Sequence, residues 1–355
     1  MRIRGNRRHW LSMLLALAVL GGMAAVGLRT WNGAGETARP LIVGVSNGFI
    51  GSSWRTQMIE NIEKKAEEYK RKGWISELYV QNAGQDVNNQ IAQIRNMIDK
   101  KVDLLLIDPN SESALNPVIE EAHRKGIRVI TFDQSVTSPY ALNVVIDQKA
   151  WGARQAQWLT EQLGGTGRIV IIGGVATNPA NVDRLEGMKE VLAGFPGIEV
   201  LAEENGSWDY LIARRVMADM LASYAEIDGV LTQDSMPLGV LNAYQVAGKK
   251  LPVVTGETWA VFLRKWKQLK DAEGFESFGQ NNPPGIGVTA LGIGVRLEQG
   301  KIWREPPSGG AFHYEVRRFV TNDNLEAELD KIKHLPDTYI SDEWLSEQEL
   351  DELFQ

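Results

Sequence analysis

The sequence predicts an α/β protein built on two parallel sheets with flanking helices. Three observations carry that prediction. Apolar, β-branched runs alternate with helical patterns along most of the chain. The first run ends in a small polar loop that leads straight into an amphipathic helix, the order of a βα unit. The units are also too many for one open sheet of usual width.

The first strand is Leu41-Ile42-Val43 with Val45, at 41–45. It stops at Ser46-Asn47-Gly48, and a helical pattern runs over 54–71. Further strand-like runs lie at 76–80, 102–107, 127–132, 142–146, 168–173, 198–202, 228–232 and 252–255. Helical patterns fall between them at 86–100, 112–125, 149–163, 182–193, 209–223, 237–247 and 259–270. Strands separated by helices of this length read as βαβ units and parallel sheets.

Three segments are expected to cross between the sheets. The pattern restarts near Asn143–Asp147. Gln280-Asn281-Asn282-Pro283-Pro284 interrupts it, since two prolines favour extended backbone. Glu305-Pro306-Pro307-Ser308-Gly309-Gly310 is the third break. The expected division is therefore 39–146 with 282–310 as one lobe and 147–281 with 311–325 as the other. Residues 326–355 are expected to form a charged, partly helical tail on one lobe or trailing free.

The N-terminus carries Arg2, Arg4, Arg7 and Arg8 before an apolar run from Trp10, closed by Arg29. A positive start and an apolar core read as an export signal over 1–38, linker included. It is either cleaved near Ala24–Gly27 or kept as an anchor, because its length sits at the lower limit for spanning a bilayer. The location expected is the periplasm or the outer face of the cytoplasmic membrane.

The chain has no cysteine, which excludes disulfides, thiolate metal sites, a cysteine nucleophile and a lipid-attachment cysteine. Net charge is −7, and the first thirty residues hold five Arg and no acid, so the remainder stands near −12. Nucleic-acid binding needs a basic footprint and is not expected. The four His show no metal-ligand spacing, and no Gly-x-Ser-x-Gly elbow or phosphate-binding loop is present. No enzyme, cofactor or metal is expected.

Four pieces then fall in a telling order. They are Val43-Gly44-Val45-Ser46 through Ser52-Ser53-Trp54-Arg55, Leu105-Leu106-Ile107-Asp108-Pro109, Ile127-Arg128-Val129-Ile130-Thr131-Phe132-Asp133, and Thr232-Gln233-Asp234-Ser235 with Gln245-Val246-Ala247-Gly248. Together, over 40–320, they resemble type I periplasmic sugar-binding proteins of the ribose-binding class. The Ser-Ser-Trp-Arg loop is similar to the galactofuranose-type branch. The resemblance implies two Rossmann-like lobes joined by three crossovers, closing on one sugar. It also implies delivery to an ABC permease, by a protein expected to be monomeric. A sugar sensor for a membrane kinase or chemoreceptor is the alternative reading. A transcription regulator with the same lobes would need a DNA-binding helix pair where the apolar segment lies.

The resemblance places ligand contacts at Ser46, Ser53, Trp54 and Arg55 in the first loop, at Asp108, and at Asp133 with Gln134. In the second lobe it places them at Arg184, Trp208, Gln233, Asp234, Glu257 and Gln280. Carboxylates accept and guanidinium groups donate, so alternating them reads both roles of a hydroxyl. Aromatic rings suit the C–H faces. Asp108 and Asp133 at strand ends also fit caps or turn residues. Arg184 opens a helix against its dipole, which favours a functional reason. Gln134 stands where the family often has Arg, so the pocket is biased toward acid, away from ribose and toward a furanose, a polyol or an amine-bearing ligand.

Overall fold

The computed structural model describes residues 39–355. The expected export segment lies outside the described residues. The chain begins with β1 (Leu41–Asn47), α1 (Ser53–Arg71), β2 (Ile75–Asn82), α2 (Val87–Asp99), β3 (Leu104–Asp108), α3 (Asn116–Arg124), β4 (Arg128–Phe132) and β5 (Ala141–Ile146). It continues through α4 (Gln148–Gln162), β6 (Thr166–Gly173), α5 (Pro179–Leu192), β7 (Gly197–Asn205), α6 (Tyr210–Ser223), β8 (Gly229–Leu231) and α7 (Met236–Ala247). Then come β9 (Val253–Glu257), α8 (Ala260–Glu273), β10 (Ser277–Gln280), α9 (Ile286–Glu298), β11 (Ala311–Tyr314), β12 (Phe319–Val320), α10 (Leu325–Ile332) and α11 (Glu347–Glu352).

Two six-stranded sheets result. The first has the order β11-β5-β4-β3-β1-β2 and is parallel throughout. The second has the order β12-β10-β9-β8-β6-β7, with only β12 antiparallel. Both sheets reverse direction of growth beside their first strand, between β1 and β3 and between β6 and β8. Ligands of open α/β sheets bind beyond the strand ends at such a point. Central strands such as β3 are buried on both faces and read as unbroken apolar runs. Edge strand β7 is mostly exposed and carries Glu199, Glu203 and Glu204.

Polar caps start the helices where the loops meet them. Ser52 accepts from the Arg55 N–H at 3.3 Å, Asp147 from Ala150 at 2.8 Å, and Asp209 from Ile212 at 2.8 Å. Helices α4 and α5 touch backbone to backbone. A Cβ at Gly152 would overlap the Arg184 carbonyl, and one at Gly187 the Lys149 carbonyl. That contact fixes the middle of α5, and Arg184 with it. Contrary to the expectation, Arg184 does not open the helix, which starts at Pro179.

Four elements lie outside the predicted pattern. Helix α9 has no polar face: Ile286 to Arg296 are all buried, against α1 and the first sheet. A helix buried all round has no 3.6-residue alternation to read. Strands β10, β11 and β12 are four residues or fewer.

The chain passes from the first sheet to the second at Asp147, between β5 and α4, and back at Asn281–Gly285, before α9. The third passage differs from the expectation. It lies between Tyr314 and Phe319, because β11 pairs with β5 in the first sheet and β12 with β10 in the second. Pro306-Pro307 follows a bend at Arg304-Glu305 within the first lobe and leads into β11, so 311–314 belong there and not to the second. The expected tail is also divided. Helix α10 packs on α8, whereas α11 packs on α9.

Candidate functional site

The loops after the strand ends of both sheets converge on one cavity of about 500 Å³. The backbone is bent there. Six non-glycine residues among those described adopt positive φ, and five of them line this cavity: Gln85, Asp133, Ser207, Trp208 and Asp234. Such conformations cost energy and persist where the surroundings enforce them, commonly at binding sites.

The first lobe brings Arg55, Asp133, Gln134 and Phe49 to the cavity. Arg55 is buried and ion-paired with Asp108, and it donates to Asn47 Oδ1 at 3.1 Å. Its guanidinium lies 4.2 Å from the centre of the Phe49 ring. Burial lowers its pKa to about 10, opposed by the charge of Asp133. Asp133 has φ 63° and accepts from the Gln134 amide at 3.0 Å.

The second lobe supplies Arg184, Trp208, Asp234 and Glu257. Arg184 donates through Nε to Gln148 Oε1 at 2.7 Å, and through Nη1 to Glu257 at 3.0 Å and Gln233 at 3.3 Å. Its flat face rests 3.9 Å from the Trp151 ring centre. Among the described residues Nη2 has no partner, which leaves two donors for a bound molecule. Trp208 donates its indole N–H to Gln233 Oε1 at 2.9 Å and so presents a fixed ring. Asp234 Oδ1 is buried without a partner among the described residues.

Each lobe thus sets one guanidinium against two carboxylates: Arg55 with Asp108 and Asp133, Arg184 with Glu257 and Asp234. Burial pushes the pKa of Glu257 and of Asp234 upward, Arg184 holds both down in part, and the Asp234 charge raises Glu257 further. Both shifts favour the protonated form of the pair more than in free carboxyl groups.

Eight of the thirteen sequence-predicted residues line the cavity: Trp54, Arg55, Asp133, Gln134, Arg184, Trp208, Asp234 and Glu257. Trp54 does so by its ring alone. It is buried, and its N–H is taken by the Asn282 carbonyl at 2.7 Å. Five lie behind the wall. Ser46 is buried in β1 facing Gln93, and Ser53 starts α1 beside the capping Ser52. Asp108 is fully buried as the partner of Arg55. Gln233 accepts from Arg184 and Trp208 and donates to Asn181 at 3.2 Å. Gln280 ends β10, fully enclosed, with Oε1 unpartnered among the described residues.

Sequence reasoning missed Phe49 and Asn282, which also line the cavity. Phe49 carried a signal, being one of two large apolar residues in a loop of small polar ones. Asn282 carried none, because its place depends on the crossing from β10 to α9.

The "Periplasmic binding protein domain" family model matches residues 43–302. The chain belongs to this family. It is 33% identical over 246 residues to a xylitol-binding protein of Mycolicibacterium smegmatis, covering 67% of this chain and 69% of the relative. It is 27% identical over 252 residues to a galactofuranose-binding protein of Escherichia coli, covering 68% and 74%. The structure of an ABC transporter solute binding protein from Thermobispora bispora superimposes with TM-score 0.76 at 27% identity, over 88% of this chain and 94% of that one. The family consists of binding proteins, and its two-lobed fold is the one seen here.

Proposed function

We propose that this chain is exported, captures a sugar or polyol between its lobes without converting it, and hands it to an ABC importer in the membrane. One observation supports this above the others. Asp133 of one lobe and Arg184 of the other line the same cavity, with Phe49 and Trp208 beside them. A polyhydroxylated ligand offers hydroxyls that donate to carboxylates and accept from guanidinium groups, and C–H faces that pack on rings. Such a ligand is held by both lobes and stabilises their approach through its differential affinity for that state.

The acidic balance, with Gln134 where an arginine would be expected, favours a polyol or furanose over ribose. The xylitol-binding relative supports the same direction. A thermal-shift screen over pentoses, hexoses, furanose-containing sugars and alditols tests this. Saturation at 100 times the dissociation constant adds about 2.7 kcal/mol of stability and raises the melting temperature visibly. No shift with any sugar or alditol would overturn the proposal.

A further inference from the structure

We propose that Pro336–Glu343 is a fourth connection between the lobes and that it sets their relative position for ligand capture, with Gln57 and Asp342 as positioning residues. The segment binds the second lobe first. Ala260 N–H donates to Tyr339 O at 2.8 Å, Ser341 N–H to Thr258 O at 3.0 Å, and Ile340 bridges Trp259 in antiparallel fashion.

At the same residues it binds the first lobe. The Gln57 side chain on α1 holds both backbone groups of Ile340, accepting from its N–H at 2.9 Å and donating to its carbonyl at 2.9 Å. Ile340 is thus gripped from both sides at once. Asp342 then accepts from Gln57 at 3.0 Å, Asn61 at 2.6 Å and the Gly285 N–H at 2.7 Å. These ties reach the other crossings. Gly285 ends the second passage, and a Cβ there would overlap the Glu343 carbonyl. Arg317, in the third passage, donates its N–H to Glu343 at 2.9 Å.

The strap also touches the site. It pairs with Thr258 and Trp259, next to the cavity-lining Glu257, and through Gly285 it steadies the segment that carries Asn282. Its bonds lie beside the crossings, at Thr258 and Gly285, and hold together only over a narrow arc of lobe closure. Breaking them frees the lobes to sample placements outside that arc. The fraction of molecules ready to bind then falls, and the apparent dissociation constant rises in proportion.

The test uses the absence of native cysteine. Ser113→Cys and Val182→Cys place spin labels at exposed positions, one on each lobe, in the full-length protein. Pulsed dipolar distances are measured without ligand for the parent, for Gln57→Ala and for Asp342→Asn. The parent should give one narrow distribution and both variants broader, shifted ones. Calorimetry with xylitol and D-ribose as probes should show about three- to tenfold weaker binding in the variants for whichever probe the parent binds. The affinity arm rests on the sugar-or-polyol reading, and the distance arm does not. Should Gln57→Ala fail to fold, Asp342→Asn, which keeps an acceptor oxygen, decides the outcome. Distance distributions that superimpose on the parent's overturn the proposal. Shifted distances with neither probe bound by the parent uphold the strap and count against the ligand reading instead.

Discussion

At the scale of single residues, the site is a set of buried charges made tolerable by their partners. Arg55 and Arg184 each lie beside an enclosed carboxylate, Asp108 or Glu257, and a second carboxylate faces the cavity. Breaking a buried pair by removing one member is costly, because the other charge is stranded. Asp108→Ala is therefore expected to destabilise the fold by about 3–5 kcal/mol, although the residue faces no ligand. A urea midpoint unchanged from wild type would refute it. Trp208, half-buried with its N–H fixed on Gln233, is expected to act through its ring. Trp208→Ala should weaken ligand binding by about 1–3 kcal/mol in calorimetry, and unchanged affinity would remove it from the site.

The Asp234–Glu257 pair gives a pH prediction. Both groups have pKa values raised in the folded state. The folded chain therefore holds more protons than the unfolded chain in the neutral range. Stability from this source is complete below the ordinary carboxylate range and is lost as pH rises through the folded values. The melting temperature of the ligand-free protein should fall between pH 6 and 9, and Glu257→Gln should flatten that slope. Parallel slopes for the two proteins would show that the pair does not retain its proton.

At the scale of elements, the close contact of α4 and α5 is what aims Arg184. Gly152 and Gly187 let the two backbones meet, and a side chain at either position must push them apart. Overpacking a tight contact costs about 1–3 kcal/mol. Gly187→Ala should lower stability by that amount and weaken ligand binding as well, since Arg184 moves with its helix. Denaturant midpoints and calorimetry on the same preparation check both halves, and lost stability with full affinity would show that Arg184 is aimed by its side-chain partners alone. Helix α9 teaches the opposite lesson about legibility. Its residues Ile286–Arg296 are all buried, so the periodicity that reveals α1 or α2 is missing.

At the scale of the whole molecule, two sheets with matching strand order face one cavity, and ligand capture should bring them together. The radius of gyration from small-angle scattering should fall when a bound sugar or polyol is added. For Asp133→Ala the contraction should need much more ligand, because the first lobe then lacks its buried carboxylate in the cavity and keeps only the exposed Glu112. Equal contraction at equal ligand concentration would show that Asp133 is a turn residue and no more.

The α/β class, the order of the first nine strands, and the loops that meet at the site are local facts. A strand that ends in Ser-Asn-Gly, or the helical pattern that carries Arg184, is written in neighbouring residues, although the helix itself opens earlier, at Pro179 behind the cap Asn178. Tertiary structure alone decided which polar residues face the cavity and which stand behind it. Asp108 and Asp133 both end or follow a strand, yet one is consumed by Arg55 and the other opens to the cavity at φ 63°. Nothing near Asp108 in the chain distinguishes the two, because the distinction is made by a side chain from α1. The third passage and the strap at Ile340 were also beyond reach. Each depends on hydrogen bonds between segments far apart in sequence, Ala311 to Asn143 and Gln57 to Ile340, and pairing over such distances leaves no periodic trace in either partner.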